Sequence, residues 1–212
     1  MAAAHAPNVR HNLGGRGCRL YLIFDTETTG LPRSWSAPYT ATDNWPRLVQ
    51  IAWFLLDENH QTLESVNRIV RPNGFTIPAD ATRVHGITTA IATERGWPLE
   101  SVLRDFDSAI QRASVVVAHN IEFDSKVVGA EYVRMGRPSP FGRKRKVCTM
   151  RDSTDYCGIP GGPRGAKWPT LEELHFTLFR KPFKDAHEAG VDVAACTRCF
   201  VELVNRGVIA GR

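Results

Sequence analysis

Short apolar runs separated by polar turns dominate the first third of the chain. Leu20–Phe24 and Leu48–Leu56 are predominantly apolar runs with the length of buried strands. Asp57–His60 has the composition of a polar turn, and apolar residues return over Leu63–Val70. The pattern therefore predicts a first strand followed by a β-hairpin over residues 48–70.

Helical spacing of apolar residues takes over in the rest of the chain. It is present over Leu99–Ile110, and Ser114–Ala118 is a short β-rich run that predicts a fourth strand. Further helices are predicted over about Glu122–Met135, from the capping-box sequence at Thr170, and over about Glu188–Arg206. A hairpin followed by β-α alternation predicts an α/β fold, with a mixed sheet flanked by helices.

The chain length and the local composition predict the domain organisation. With 212 residues, one domain with a single core is expected. We predict a flexible tail over residues 1–18 and a domain over residues 19–212. The tail is rich in glycine and lacks acidic residues, a composition that also suits an organelle transit peptide. No run approaches the ~18 apolar residues of a membrane span, so no membrane partner is expected.

The cysteines and the net charge indicate the cellular compartment and the type of binding partner. Five cysteines without framework spacing predict free thiols in a reducing compartment, and hence a cytoplasmic location. Cys196 and Cys199 form a C-x-x-C sequence inside a helical pattern, where we favour ordinary helix neighbours over a zinc or redox site. The net charge of +5 favours polyanionic partners, although the same charge also serves solubility.

Two carboxylates follow the first apolar run directly. Asp25 and Glu27 are two residues apart, so both side chains share one face if the strand persists through them. Carboxylates that converge in this way repel each other unless a cation lies between them. The alternative for an isolated pair is a turn residue beside a solvated acid.

Two other segments repeat this chemistry. His119, Asn120 and Asp124 follow the predicted fourth strand, and His187 stands five residues before Asp192. His187 is expected on the loop or first turn that precedes the last helix. Four acids from three segments, with a nearby imidazole, predict a site for a hard divalent cation. Oxygen ligands suit magnesium or manganese, whereas zinc prefers nitrogen and sulfur.

Three segments resemble the sequence motifs of the DnaQ-like 3′–5′ exonucleases. They are Asp25–Gly30, His119–Asp124 and His187–Asp192. That family includes DNA proofreading subunits, RNase T and oligoribonuclease, and the form His-x-Ala-x-x-Asp marks its DEDDh branch. Val84–Thr88 and the strand entry Arg47–Ile51 are also similar to the family.

The resemblance, which extends over about residues 19–206, carries implications for fold and chemistry. It implies an RNase H-like exonuclease fold with a mixed five-stranded sheet flanked by helices. It implies two Mg²⁺ or Mn²⁺ ions, held directly or through water by Asp25, Glu27, Asp124 and Asp192. It also implies that His187 is the general base that takes a proton from the attacking water.

Substrate contacts of the family fall at Thr28, Leu31, His85, Ile87 and Asn120 of this chain. For Leu31, core packing competes with a wedge against the terminal base. For His85 and Ile87, a structural loop is the alternative. Asn120, together with His119, also suits a role in organising the backbone beside the acid of the second motif.

Two loop-like segments offer further contacts. Residues 32–46 form an insertion that is longer than usual for the family, and its aromatic residues either stack on bases or pack the loop. These aromatic residues are Trp35, Tyr39 and Trp45. Residues 136–165 are predicted to be a loop whose basic run, Arg143–Lys146, either contacts phosphates or is solvated.

These features predict a metal-dependent 3′–5′ exonuclease that hydrolyses phosphodiester bonds from the 3′ end of DNA, preferably single-stranded, and releases nucleoside 5′-monophosphates. One alternative is an exoribonuclease of the RNase T or oligoribonuclease type. A catalytically dead nucleic-acid-binding subunit is disfavoured, because all four acids and His187 are present. The expected partner is nucleic acid with a free 3′ end, and a homodimer or protein partner remains open.

Overall fold

The computed structural model describes residues 19–162, 165–181 and 189–210. The predicted tail over residues 1–18 and the predicted general base, His187, lie outside the described residues.

A mixed sheet forms the centre of the fold. Its five strands are β1 (Tyr21–Thr28), β2 (Leu48–Leu56), β3 (Thr62–Ile69), β4 (Val115–Ala118) and β5 (Arg145–Cys148), in the spatial order β3-β2-β1-β4-β5. The first three strands pair antiparallel, whereas β4 runs parallel to both β1 and β5. The predicted mixed sheet and hairpin are confirmed.

Helices cover both faces of this sheet. In the described part of the chain they are α1 (Ala79–His85), α2 (Thr89–Arg95), α3 (Leu99–Arg112), α4 (Ile121–Arg134), α5 (Thr149–Asp152), α6 (Thr154–Cys157), α7 (Leu171–Phe179) and α8 (Ala189–Asn205). The predicted capping box begins α7, since the Thr170 hydroxyl accepts from the Glu173 N–H and the Glu173 carboxylate accepts from the Thr170 N–H. None of the described helices combines the length and the apolar character that a membrane crossing requires.

The loop predicted over residues 136–165 is wrong in part, because it contains β5, α5 and α6. β5 is a four-residue strand at the edge of the sheet, with an exposed basic half and a buried apolar half. Charged side chains on an edge strand oppose pairing with other chains. With only two apolar residues, Val147 and Cys148, the strand has no recognisable period in the sequence.

The two faces of the sheet bury separate apolar cores. Leu22 and Phe24 point toward α3 and α4, whereas Tyr21 and Ile23 point toward α7 and α8. The alternation of side chains along β1 therefore decides which helical layer each residue meets. The same alternation places the polar residues that follow in this strand.

The cysteines that the structure describes are free thiols, as predicted, and they are Cys148, Cys157, Cys196 and Cys199. Cys196 and Cys199 lie in the core between α8 and the sheet. Burial raises the pKa of Cys199 to about 12 and that of Cys196 well above its usual value. Both thiols are therefore protonated at neutral pH, and the C-x-x-C sequence supplies core residues.

Phe106 of α3 joins the aromatic residues of one core. Its ring centroid lies 5.5 Å from those of Phe24 and Trp53 and 6.1 Å from that of Phe141. We expect Phe106→Ala to lower the free energy of unfolding by about 3–5 kcal/mol, because it removes apolar contacts and leaves a cavity. Denaturant titration followed by circular dichroism measures this change. The exposed neighbour provides the control, since Asp105→Ala should stay within about 0.5 kcal/mol of wild type.

Candidate functional site

β1 carries the first two acidic side chains to one end of the sheet. The strand continues through Thr28, so Asp25 and Glu27 both lie within it and share one face. Ile23 lies on the same face and packs in the core under α7 and α8. The pairing of β4 with β1 ends at Ile23, so both acids lie beyond the paired region on that side.

α8 brings a third carboxylate to this point. Asp192 lies in the first turn of the helix, and one oxygen from each of Asp25, Glu27 and Asp192 lies within 4.8 Å of the others. Oxygen ligands lie about 2.0–2.6 Å from a divalent ion, so two ligands of one ion are up to about 4–5 Å apart. The three carboxylates therefore fit a hard divalent cation in both spacing and chemistry.

Asp124 approaches from the other side of β1. It lies in the first turn of α4, is 3% exposed, and accepts a hydrogen bond of 2.7 Å from the Thr26 hydroxyl. Thr26 alternates with Asp25 along the strand and so points toward α4. Among the described residues, the close group of three acids does not include Asp124, although its charge raises the pKa values of Asp25 and Glu27. The predicted set is thus three adjacent carboxylates with a fourth beside them.

Burial and mutual repulsion oppose ionisation of these acids. The pKa of Asp25 is raised well above its usual value, first by burial and then by the charges of Asp124, Glu27 and Asp192. Burial, followed by the charges of Asp192 and Asp124, raises the pKa of Glu27 to about 8. Burial raises the pKa of Asp124 to about 7, against the opposing effect of the Thr26 hydrogen bond. A bound cation would favour the ionised forms.

A buried amide on β2 fixes the start of α8. Gln50 lies opposite Glu27 in the sheet, and its Oε1 accepts from the Ala189 N–H at 3.3 Å. Its Nε2 donates to Asn67 Oδ1 on β3 at 2.8 Å. The first N–H groups of a helix lack partners within it, so Gln50 supplies one and ties the turn that carries Asp192 to the sheet. The sequence pattern predicts no role for Gln50, although a lone amide in an otherwise apolar strand is a usable signal.

His119 and Asn120 form the turn from β4 into α4. His119 Nε2 lies 3.0 Å from the Pro169 carbonyl oxygen, and Nδ1 lies 3.0 Å from the Thr149 hydroxyl. Burial lowers the pKa of His119 to about 4, so the ring is neutral, and Nε2 carries the proton because a carbonyl only accepts. Asn120 has a φ of 70°, a left-handed conformation that Asn adopts more readily than most residues. These contacts support the backbone-organising role for His119.

A cavity of about 640 Å³, the cleft, opens beside the acids. Glu27, Thr28 and Leu31 line one part of it, and Phe123 from α4 and His85 from α1 line others. Leu31 is 73% exposed, which argues against the core-packing alternative for this side chain. Three predicted substrate contacts, Thr28, Leu31 and His85, therefore share one cavity with an acid of the close group.

His85 and Ile87 have different environments at the end of α1. His85 is buried, and its Nδ1 accepts from the Ile87 N–H at 3.1 Å, which places the ring proton on Nε2. Burial lowers the pKa of His85, so the ring stays neutral near pH 7. The Ile87 side chain is 6% exposed and packs with Val49 and Ile77. It is not among the described residues that line the cavity, so the structural alternative suits Ile87 better than substrate contact.

The aromatic residues of segment 32–46 differ in exposure. Trp45 is 3% exposed, and its indole N–H donates to the Pro38 carbonyl at 2.9 Å. Tyr39 lies against Gly129 of α4. Packing therefore accounts for Trp45, whereas Tyr39 is 37% exposed and Trp35 is 54% exposed.

The basic run Arg143–Lys146 is engaged in protein contacts. Lys144 Nζ donates to the Ala113 carbonyl at 2.7 Å, and Lys146 Nζ donates to Ser125 Oγ at 3.1 Å. These contacts tie the edge strand to neighbouring elements. They favour a structural role for these two lysines over phosphate binding.

A sequence profile of the RNase T family, described as an exonuclease family, matches residues 22–200. The chain belongs to this family. The matched segment contains all four acids described above and, apart from the first residue of β1, every strand of the sheet. The resemblance of the sequence motifs to DnaQ-like exonucleases is thereby confirmed.

The chain is also similar to parts of much longer proteins. It is 35% identical over 118 residues to the DNA polymerase III PolC-type of Streptococcus sanguinis (strain SK36). It is 33% identical over 119 residues to the PolC-type polymerase of Streptococcus thermophilus (strain ATCC BAA-491 / LMD-9). Each match covers 56% of this chain but only 7% of the relative.

Solved structures of exonuclease I share the fold of this chain. The E. coli enzyme in complex with a dT13 oligonucleotide superposes with a TM-score of 0.69 at 18% identity, covering 88% of this chain and 41% of that one. Exonuclease I from Methylocaldum szegediense superposes with a TM-score of 0.66 at 20% identity, and the match covers 89% of this chain and 41% of that one. At this identity the likeness shows the fold alone, and it confirms the predicted RNase H-like exonuclease fold.

The raised pKa values predict the pH dependence of stability in the absence of metal. Between about pH 7 and pH 8, folded Glu27 and Asp124 bind more protons than the unfolded chain does, so the free energy of unfolding falls as the pH rises. Below this range the lowered pKa of His119 acts in the opposite direction. We expect the melting temperature in EDTA to fall over this range and Mg²⁺ to restore part of it near pH 8. Differential scanning fluorimetry measures both effects.

The Glu27→Gln variant is the control for this experiment. Because it removes one titrating acid, its melting temperature in EDTA should depend less on pH. A metal-free wild type that becomes more stable toward pH 8 would contradict the electrostatic description of the site.

Proposed function

We propose that this protein is an exonuclease that removes nucleotides from the 3′ end of single-stranded DNA in a reaction that depends on Mg²⁺ or Mn²⁺, and that it releases nucleoside 5′-monophosphates. The observation that carries the proposal is the group of three carboxylates within 4.8 Å, formed by Asp25, Glu27 and Asp192. Glu27 also lines the adjacent cavity, so this group borders a space for substrate.

Two divalent ions are proposed as the cofactors of this site. Asp25, Glu27 and Asp192 would hold them with oxygen atoms, and Asp124 would contribute directly or through water. Bound at this position, the ions would activate the attacking water and neutralise charge on the scissile phosphate. The high pKa values of the acids support this proposal, because burial and mutual repulsion disfavour the ionised carboxylates, and a bound cation would offset both effects.

The proposed roles of the protein groups follow from their chemistry. The Thr26 hydroxyl holds Asp124 Oδ1 at 2.7 Å and so fixes the orientation of that carboxylate. Gln50 fixes the first turn of α8 and, with it, the position of Asp192. His187 is proposed as the general base that removes a proton from the attacking water, a role that rests on the sequence motif.

The cavity beside the acids is proposed to hold the terminal nucleotide. The exposed Leu31 side chain would contact the terminal base, and Thr28 and the neutral His85 would contribute polar contacts. Asn120, at the turn into α4, remains a proposed contact to the substrate. The site accepts only an unpaired end under this proposal, because a base pair would have to open at a cost of roughly a few kcal/mol.

DNA is the proposed substrate on the basis of the similar proteins. The curated relatives are DNA polymerases, and the exonuclease I structures contain DNA oligonucleotides. The cytoplasmic location and a homodimer or protein partner stay predictions of the sequence.

The proposed polarity is tested with a 5′-labelled single strand in the presence of Mg²⁺. We expect products that shorten stepwise from the 3′ end, because the terminal phosphodiester lies at the acids. A 3′-phosphate block or excess EDTA should suppress digestion, and blunt duplex DNA and a matched RNA strand should react more slowly. Asp192→Asn is the inactive control.

Three results would overturn this proposal. They are immediate release of the labelled mononucleotide, cleavage of a circular single strand, and full activity in excess EDTA. Faster digestion of the RNA strand than of the DNA strand would overturn the assignment of DNA.

The role of His187 is tested separately from metal binding. A general base contributes about 10²–10⁴-fold to rate, so His187→Ala should lower kcat by that factor. Calorimetric titration with Mn²⁺ should still detect metal binding, since the carboxylates are unchanged. Loss of Mn²⁺ binding in His187→Ala would make the residue a ligand and refute the proposed role.

A further inference from the structure

A second cavity, of about 450 Å³, lies beside the cleft that holds the acids. Its lining includes Trp35, Trp45, Asn120, Lys126, Arg151 and Trp168. Trp35 is 54% exposed and Trp168 is 58% exposed. Two large rings left exposed around one cavity indicate a binding surface, because burial of an indole is strongly favourable.

Positive charge accompanies the two exposed rings. The Arg151 guanidinium lies 5.3 Å from the centroid of the Trp168 ring. Lys126 Nζ lies 3.0 Å from the Trp35 carbonyl oxygen and 5.2 Å from the centroid of the Trp45 ring. Glu122 is the one carboxylate in the described lining, so cations outnumber acids there. Flat apolar rings beside cations match the flat bases and the phosphates of a nucleic acid strand.

α4 connects this second cavity to the cleft beside the acids. Phe123 lines the cleft, and its ring centroid lies 5.7 Å from that of Trp35 in the second cavity. Asn120, in the turn before α4, lines the second cavity, and Asp124 lies four residues later in the first turn of α4. A strand whose 3′ end lies at the acids can therefore pass Phe123 and reach Trp35.

The backbone on both sides of the cavity is held in place. The carbonyl of Pro169, next to Trp168, accepts from His119 Nε2 at 3.0 Å. On the other side, Ser34 exchanges two hydrogen bonds with the Asn44 side chain, of 2.7 and 2.9 Å. Binding to rings presented in this way costs little conformational entropy.

We propose that Trp35 and Trp168 form a stacking subsite for bases of single-stranded DNA that lie upstream of the terminal nucleotide, with Arg151 and Lys126 beside the phosphates. The inference rests on the proposed function for the identity of the ligand. It adds a second place where the strand is held and assigns a role to Trp168, which no sequence motif marks.

The test is the affinity for DNA of two lengths, measured by calorimetry in the Asp192→Asn background to prevent cleavage. The probes are an unlabelled thymidine dodecamer, which spans both cavities, and a thymidine dinucleotide, which fits the cleft. Stacking of one base contributes about 1–3 kcal/mol, so Trp168→Ala should raise the Kd for the dodecamer about 5- to 150-fold. The double variant Trp35→Ala/Trp168→Ala should remove most of the affinity that the dodecamer has over the dinucleotide.

Trp97→Ala is the matched control. Trp97 is 49% exposed and carries the Arg68 guanidinium 4.9 Å from its ring centroid, but it lines neither cavity. It should leave the Kd for the dodecamer unchanged. Arg151→Gln tests the phosphate contact, and it should lower the slope of log Kd against log salt concentration by about 0.7. Thermal melting checks that each variant is folded.

The outcomes separate this inference from the proposed function. Unchanged dodecamer affinity in the folded double variant overturns the stacking subsite, whatever the cleavage assay shows. An equal loss of affinity in Trp97→Ala also overturns it. If the double variant loses dodecamer affinity while the cleavage test shows no 3′ to 5′ digestion, the stacking subsite stands and the proposed reaction fails.

Discussion

Mutual repulsion among Asp25, Glu27 and Asp192 is the interaction that the surrounding structure has to withstand. The three carboxylates come from a strand and a helix that are each fixed independently of the site, β1 by pairing with β2 and α8 by its apolar core. Because those contacts hold the acids together, burial and then repulsion raise the pKa values of the acids, and the two elements stay together. Sites that bind cations commonly carry such a cost in stability.

The sequence predicts the parts of the fold and site that depend on local periodicity. β1, β2 and β4, the long helices and the shared face of Asp25 and Glu27 all follow from spacing along one segment. The first strand is predicted to end at Phe24, because polar residues follow it. The structure extends the strand to Thr28, where pairing with β2 outweighs the change in polarity.

Features that depend on contacts between distant segments are beyond such patterns. β5 is recognisable only from its pairing with β4, since half of its residues are charged. Trp168 and Trp35 are far apart in sequence and line one cavity. A hydrogen bond from His119 holds the Pro169 carbonyl, next to Trp168, near the start of α4. Asp124 was predicted among the acids, but its approach from the opposite face of β1 depends on the packing of α4.

α4 has a central position between the two cavities. Within its first two turns it presents Asp124 to Thr26, Phe123 to the cleft, and Lys126 to the second cavity. Side chains at consecutive positions of a helix point in different directions, so one short helical segment can serve all three places. The apolar remainder of α4 packs in the core and holds this segment rigidly.

The hydrogen bond between Gln50 and the Ala189 N–H makes the assembly of the site sensitive to strand alignment during folding. Side chains of a strand alternate between faces, so a slip of β2 by one residue would move the Gln50 amide to the layer of α3 and α4. The N–H at the start of α8 would then face an apolar side chain, and Asp192 would lose its anchor. A misaligned hairpin would thus be left without the proposed metal site, so the correct alignment of the hairpin and the proposed ability to bind a cation would be acquired together.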